Sequence, residues 1–389
     1  MYFCFFENEN FIRLKIAVNT RLLLPGKLEG IGWFTYETLK RITQSHPEHE
    51  FLFLFDRKYS DEFIFADNVT PIIVPLQARH PILYWLWFEW LVPPILRKHN
   101  VDLFLSPDGY LSLNSEKKQL AVIHDINFEY YPRHLPWFAR KYYRFFFPKF
   151  AEKANRIATV SNFSKEDIIR HYETDPEKID VVYNGVSEVY KPIEDAEKET
   201  NRAKFATGSE YFIFIGSIQP RKNLTQLFKA FDLFKKANNT DIKLLIVGEK
   251  RWWTKAIKRA YDGMTHQNDV IFSGRLEQDD LSKALASSLA LVYVSFFEGF
   301  GIPIVEAMNC DVPVITSNVT SMPEVAGKAG VYVSPFDSAS IQEGMEKIAF
   351  DKELVAQLIE AGREQRKHFS WDQTAEKLWS SIQKCVNES

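Results

Sequence analysis

Tyr293 to Met308 reads YVSFFEGFGIPIVEAM, and this stretch decides the fold. An apolar run, Leu289 to Val294, feeds a loop carrying Glu298, Gly299, Phe300 and Gly301, after which Pro303 opens a short helical segment holding Glu306. Glycines at 299 and 301 let a ligand come close to the backbone, and free amides at a helix start suit an anion or a ring of hydroxyls. Pro303 fits the first helical turn, where its missing N–H removes no hydrogen bond. Glu306, about one turn further on, can accept two hydrogen bonds from a diol such as a ribose, and Glu298 can contact a second polyhydroxylated group. Taken singly, either glutamate also reads as part of a solvated acidic loop, because surface glutamates are common.

The spacing is more telling than either residue. Ser295, Glu298, Gly299, Phe300, Gly301, Ile302, Pro303, Glu306, Ala307 and Met308 fit S-x-x-E-G-F-G-[LI]-P-x-x-E-A-M. Here the chain resembles the retaining GT-B glycosyltransferases of glycosyltransferase family 4. The resemblance implies that Glu306 holds the nucleotide ribose, and that Glu298, with Gly299, Phe300, Gly301 and Ile302, holds the donor sugar.

A chain of 389 residues suits two domains better than one core. With 46% hydrophobic and 25% charged residues it is globular, not disordered. A net charge of -3 gives no global basic field, so nucleic acid is not an expected partner. Cys4, Cys310 and Cys385 are odd in number and far apart, with neither a zinc-ligand pattern nor a disulfide framework. That favours a reducing, cytoplasmic setting. The opening MYFCFFENENFIRLK has no basic residue before its apolar patch and does not read as a signal peptide; residues 1–13 are expected to form an N-terminal arm.

Along the chain, short apolar runs alternate with longer amphipathic ones. Strands are expected at Leu14 to Asn19, Phe51 to Phe55, Ile72 to Val74, Leu103 to Ser106, Leu120 to His124, Ile157 to Val160 and Ile179 to Val182. A second series covers Tyr211 to Ile215, Leu244 to Val247, Val270 to Phe272, Leu289 to Val294, Val314 to Thr316 and Val331 to Val333. Continuous rather than alternating hydrophobicity indicates strands covered on both faces, hence an α/β fold with parallel sheets. The charged segment Lys191 to Thr207 reads as a linker. Two doubly wound, Rossmann-like domains, 14–190 on the acceptor side and 191–369 for the nucleotide sugar, would then face a central cleft, with ligands at the carboxyl ends of strands. Trp371, Ala375, Leu378, Trp379 and Ile382 recur at helical spacing, and the resemblance implies that this last segment, 370–389, crosses back onto the first domain.

Two aromatic stretches bear on membranes. ILYWLWFEWLVPPIL, Ile82 to Leu96, is shorter than the roughly 20 apolar residues a span needs and is interrupted by Glu89, Pro93 and Pro94. A buried or interfacial helix is expected there. WFARKYYRFFFPKF, Trp137 to Phe150, mixes rings with Arg140, Lys141, Arg144 and Lys149. It reads either as a helix lying on an anionic membrane surface or as an amphipathic helix covering a core.

In the first half, Gly30-Ile31-Gly32 precedes a helical run, where two glycines can admit a phosphate or sugar; a plain turn is the other reading. Glu29 stands where the family pattern has a glycine, and no G-x-x-G continuation supports a dinucleotide site. His124-Asp125 follows a strand, where a histidine can act on a hydroxyl near a reacting carbon or simply serve as a structural hydrogen-bonding group. With Pro132 it fits the H-D-x-x-x-x-x-x-P segment of such transferases, which implies that His124 contacts the donor sugar and that Asp125 supports it or the acceptor. Ser164 reads as a helix cap and Asn184-Gly185 as a turn.

In the second half, Gly216 ends a strand, and Arg221 and Lys222 follow before a helix near Asn223. Such a pair can neutralise a diphosphate as its charge rises on leaving, though surface Arg-Lys pairs are also commonplace. The resemblance assigns the diphosphate to Arg221 and Lys222, and the nucleobase pocket to Arg275 and Leu276. Lys250-Arg251-Trp252-Trp253 departs from the usual glycine-rich loop. No D-x-D follows a strand, Asp279-Asp280 reads as a helix start, and neither metal nor cofactor is expected.

The resemblance thus implies a hexosyltransferase, with GDP-mannose the favoured donor and a saccharide or lipid-linked saccharide of surface polysaccharide as acceptor. Retention would follow from front-face attack assisted by the leaving phosphate. A GT-B epimerase or hydrolase of sugar nucleotides and a non-enzymatic nucleotide-sugar-binding protein are the alternatives.

Overall fold

The computed structural model describes residues 13–250 and 252–388. Residues 1–12 of the expected arm, and Arg251, lie outside them. Among the described residues, thirteen strands form two all-parallel sheets. The first sheet comprises β1 (Lys15–Asn19), β2 (Glu50–Phe55), β3 (Val69–Ile73), β4 (Leu103–Ser106), β5 (Lys118–Val122), β6 (Arg156–Thr159) and β7 (Ile179–Val181), ordered β3-β2-β1-β4-β5-β6-β7. The second comprises β8 (Tyr211–Ile215), β9 (Lys243–Val247), β10 (Val270–Gly274), β11 (Ala290–Tyr293), β12 (Val314–Ser317) and β13 (Gly330–Val333), ordered β10-β9-β8-β11-β12-β13.

The strand interiors explain this. Val-, Ile-, Leu- and Phe-rich runs such as FIFI in β8 are buried on both faces, which only helices on both sides of a parallel sheet can achieve. In each sheet the order reverses beside its first strand, between β1 and β4 and between β8 and β11. Those are the crevices where doubly wound sheets take ligands.

Several local expectations change. Lys191 to Thr207 is no open linker: Asp195–Ala206 is helical, and Phe205 and Ala206 join the core. Only Phe205 among its twelve residues is a large apolar side chain, too little to read as an amphipathic face, so charge density hid the helix. The cap of the helix Asn162–Tyr172 is Ser161, whose hydroxyl accepts from the Ser164 amide at 3.0 Å; Ser164 sits inside. Gly185 is not in a turn. A Cβ there would lie 2.2 Å from the Trp371 amide, so glycine is needed for close approach to the final helix, Trp371–Asn387. That helix packs against the first one, Gly30–Ser45, with Trp371 edge-on to Phe34 and Asp372 paired to Arg41.

The aromatic stretch Ile82 to Leu96 forms Pro81–Leu86, a π-helical turn at Trp87–Leu91 and Val92–Lys98. Glu89, which interrupts it in sequence, points inward and accepts from the amides of Leu113 and Asn114, both at 2.9 Å. Trp137–Lys153 is one helix. It buries Tyr142, Phe147 and Phe150 in the core and leaves Trp137, Phe138 and Phe145 exposed.

Candidate active site

The loop after β8 and the loop after β11 meet at the second sheet's crevice. Asn223, in the left-handed region at φ 63°, ends the turn Pro220–Lys222 and sends its amide to the carbonyls of Val294 (2.9 Å) and Pro335 (2.7 Å). The Phe296 amide donates to the Arg221 carbonyl at 2.8 Å. These bonds bring Arg221 and Lys222 over the β11 loop.

Arg221 Nη1 lies 2.7 Å from Glu298 Oε2, and Lys222 Nζ lies 2.7 Å from Oε1. Arg221 also donates to the Phe297 carbonyl, and Lys222 to the Tyr293 hydroxyl at 2.5 Å. Burial alone would push the Glu298 carboxyl up; Arg221, then Lys222, overcome it and hold it at about 2. Burial brings the Lys222 ammonium down to about 8, against the pull of Glu298. Oε1 is as buried as the rest of the carboxylate and has the Lys222 ammonium as its partner. With one cation on each oxygen, the carboxylate keeps lone pairs that can accept from a hydroxyl.

The loop is propped from behind. The Ser321 hydroxyl donates to the carbonyls of Glu298 and Phe300, both at 2.9 Å, and Thr320 takes the Glu298 amide at 3.3 Å. No backbone carbonyl among the described residues receives the amides of Gly299, Phe300 or Gly301. The Phe300 ring turns away from the crevice, against Tyr183 and Phe369. Gly301 caps the helix Ile302–Asn309 at φ 110°.

On that helix, Glu306 is hydrogen-bonded to the hydroxyl of Tyr190, and burial pushes its carboxyl up to about 7 against that bond. Sequence reading missed Tyr190, since a lone tyrosine before a charged segment carries no signal.

The first domain meets the loop directly. A Cβ on Gly299 would lie 2.4 Å from the His124 carbonyl and 2.7 Å from Asp125 Cβ, so only glycine fits. His124 lies two residues beyond the end of β5, and its Nε2 is 2.8 Å from the Pro107 carbonyl. Donation to that carbonyl puts the ring proton on Nε2 and leaves Nδ1 an acceptor. Burial lowers the His124 pKa, keeping the ring neutral. Asp125 caps the next turn through the Asn127 amide at 3.0 Å, and its charge is felt by both Arg221 and Lys222.

The structure therefore brings together His124, Asp125, Arg221, Lys222, Glu298 and Gly299. Gly216 sits above Lys222, 3.5 Å from its side chain as measured from an added Cβ. Arg275 is exposed and Leu276 half-buried just past β10, beside Gly274, whose carbonyl takes the Gly248 amide. Gly30 opens the first helix at the surface, whereas Gly32 is turned to Leu22 and Leu28 of its own loop. His46, Glu48 and His49 cluster next to β2's amino end, but His49 Nδ1 accepts the Leu14 amide. Its Nε2 then carries the proton and turns it toward Glu48, so it offers no lone pair to a metal.

Two facing Rossmann-like domains, with a buried cation-carboxylate loop at the crevice, define the GT-B class. Residues 28–189 match the Glycosyltransferase Family 4 model, and residues 195–365 match Glycosyl transferases group 1. The chain belongs to glycosyltransferase family 4 and is a glycosyltransferase. It is similar to O-antigen chain mannosyltransferase B of Escherichia coli, 28% identical over 89% of this chain and 93% of that one. It is also similar to O-antigen chain mannosyltransferase RfbU of Salmonella typhimurium, 29% identical over 75% and 78%. Anabaena HepE, solved in complex with UDP and glucose, shares the fold at a TM-score of 0.73 and 17% identity, over 95% of this chain and all of that one (100%). Among the described residues no helix is long and apolar enough to cross a membrane.

Proposed function

We propose that the protein transfers mannose, with retention, from GDP-mannose to a saccharide or lipid-linked saccharide acceptor in surface polysaccharide synthesis. The observation that carries this is the buried Glu298 carboxylate, held by Arg221 on one oxygen and Lys222 on the other, beside loop amides that no backbone carbonyl among the described residues receives. The names of the O-antigen relatives support mannose.

In this reading the donor diphosphate settles on Arg221 and Lys222, and the sugar hydroxyls on Glu298 and the amides of Gly299, Phe300, Gly301 and Ile302. The ribose displaces Tyr190 from Glu306, while Arg275 and Leu276 border the base. Gly216 and Gly30 leave room for phosphate and sugar. His124, an acceptor at Nδ1, takes a hydrogen bond from a sugar hydroxyl, and Asp125 supports it from the same turn. As the bond from the anomeric carbon to phosphate breaks, the acceptor oxygen bonds to that carbon from the same face, and its proton passes to the leaving phosphate. Arg221 and Lys222 stabilise the charge that develops there. No metal or cofactor enters these steps.

The reading includes peripheral contact with an anionic membrane. Trp137, Phe138 and Phe145 are exposed, with Lys141 and Lys149 lying over the rings of Trp137 and Phe145 at 4.2 and 3.8 Å. His80 stacks on Phe138, which joins this face to the exposed Ile82, Trp85 and Trp90. Rings beside cations suit a bilayer's headgroup region.

The test is transfer of labelled mannose from GDP-mannose to lipid-extracted acceptors, with anomeric configuration read by NMR. An α-linked product supports the reading, because the sugar is α-linked in the donor. Release of free or epimerised sugar with no product would instead favour a hydrolase or epimerase.

A further inference from the structure

Glu324, on the short helix Met322–Ala326 after β12, belongs to the second domain, yet its carboxylate is used by the first. Oε1 accepts from the Asn162 amide at 2.7 Å, from Asn162 Nδ2 at 2.9 Å and from the Tyr183 hydroxyl at 2.8 Å. Oε2 accepts from the Phe163 amide at 3.0 Å. Asn162 and Phe163 are the first two residues of the helix Asn162–Tyr172, where amides have no partner within the helix and the dipole favours negative charge. A carboxylate from one domain thus closes a helix of the other.

The same turn grips the donor loop. The hydroxyls of Ser161 and Ser164 donate to the Gly299 carbonyl at 2.7 and 3.2 Å, and Ser164 also reaches the His124 carbonyl at 3.2 Å. On the other side Ser321, three residues before Glu324, donates to the carbonyls of Glu298 and Phe300. Three segments, 161–164, 298–300 and 320–324, therefore lock onto one another. Helix capping by Glu324 and placement of Gly299 against His124 become one event.

We infer that Glu324 is a positioning residue: an interdomain latch that sets the donor loop against His124 and Asp125 when the domains close. The inference rests on the loop being the donor site. Because the contacts of Glu324 are to the first domain, the latch governs turnover and not the second domain's grip on nucleotide.

Amide hydrogen exchange of the full chain, without donor, reads the latch; steady-state transfer and GDP affinity read its consequence. In the wild type, the amides of Asn162 and Phe163 should be protected. Glu324→Ala should raise their exchange tenfold or more and lower kcat at least tenfold, with GDP affinity within twofold of wild type. Glu324→Gln, which keeps one acceptor oxygen, should recover part of both. If Glu324→Ala fails to fold, Tyr183→Phe and Glu324→Gln carry the same comparison with milder loss. Unprotected amides in the wild type would overturn the latch, as would wild-type kcat in a variant that has lost protection. Equal losses of kcat and GDP affinity would overturn it too, by showing that the second domain itself is damaged. Since exchange is read with no donor present, failure of the transferase reading would show only as absent turnover in the wild type.

Discussion

Each sheet carries an arginine-carboxylate pair at its switch point, with the same 2.7 Å separation, and the two differ in the charge they leave over. In the first domain Asp108 accepts from Arg21 Nε, from Asn19 at 2.8 Å and from Ser106 at 3.1 Å. Arg21 donates to the Ala78 carbonyl and is enclosed by the rings of Tyr84 and Tyr110 at 4.8 and 4.5 Å. Through Nε and Nη1 it holds the loops after β1 and β4 together. In the second domain Arg221 and Lys222 converge on Glu298, one cation on each oxygen. Charge is thus gathered at both crevices, but the first pair is balanced one to one while the second has two cations to one carboxylate, and that excess positive charge marks the one suited to an anionic ligand.

The comparison breaks most visibly at the balanced pair. Asp108→Ala strands a buried guanidinium and should cost about 3–5 kcal/mol of stability in denaturant melts. Glu298→Ala frees two cations and should also cost stability, but GDP bound on Arg221 and Lys222 should restore it, and kcat should be lower by about 100- to 1,000-fold. Should Glu298→Ala unfold the chain while Asp108→Ala only slows turnover, the assignment of the two pairs is reversed.

Next in size is Glu306. Its removal should weaken GDP-mannose binding by about 1.5–3 kcal/mol, the worth of hydrogen bonds to a charged group. The pH dependence follows from the two perturbed groups. A ribose donates to the carboxylate, so the protonated form of Glu306 must fall away as pH rises through about 7. A diphosphate needs the ammonium of Lys222, which is lost as pH rises through about 8. A plot of kcat/KM should be a narrow bell with limbs near those values, since it reports the free enzyme. Glu306→Gln should abolish the acid limb, and an unchanged limb would refute its assignment. Linkage has the matching sign: a carboxyl raised in the folded state binds its proton more tightly there. Glu306 therefore contributes stability below the ordinary carboxylate range that is lost as pH rises toward 7.

The smallest effect is expected outside both crevices. Trp137→Ala and Phe145→Ala remove exposed rings, so melting should hardly change. Sedimentation with anionic vesicles should fall several-fold, with neutral vesicles bound weakly throughout. Equal binding to both vesicle types would remove the membrane from the account.

Much of this was legible in the residues because spacing enforces geometry. All thirteen strands announce themselves as short apolar runs, with ends within a few residues of those observed, although edge strands such as β3 are only partly covered. The Glu298–Glu306 segment could be read because a glycine loop before a proline-opened helix leaves few conformations. What stayed hidden depends on contacts between distant segments. Tyr190 on Glu306, Pro107 fixing the His124 tautomer and Glu324 capping another domain's helix are single polar residues without local periodicity. Glu89 misled in the same way, reading as an interruption of an apolar stretch when its partners lie 24 and 25 residues away.

The most direct measurement is thermal stabilisation of the purified protein by GDP, UDP, ADP and their sugars, repeated on an Arg221→Ala, Lys222→Ala double variant. GDP-mannose at a hundredfold excess over its Kd should add about 2.7 kcal/mol to the wild type, and at the same concentration little to the variant. Equal stabilisation of both proteins, or none of the wild type by any nucleotide, would contradict the account.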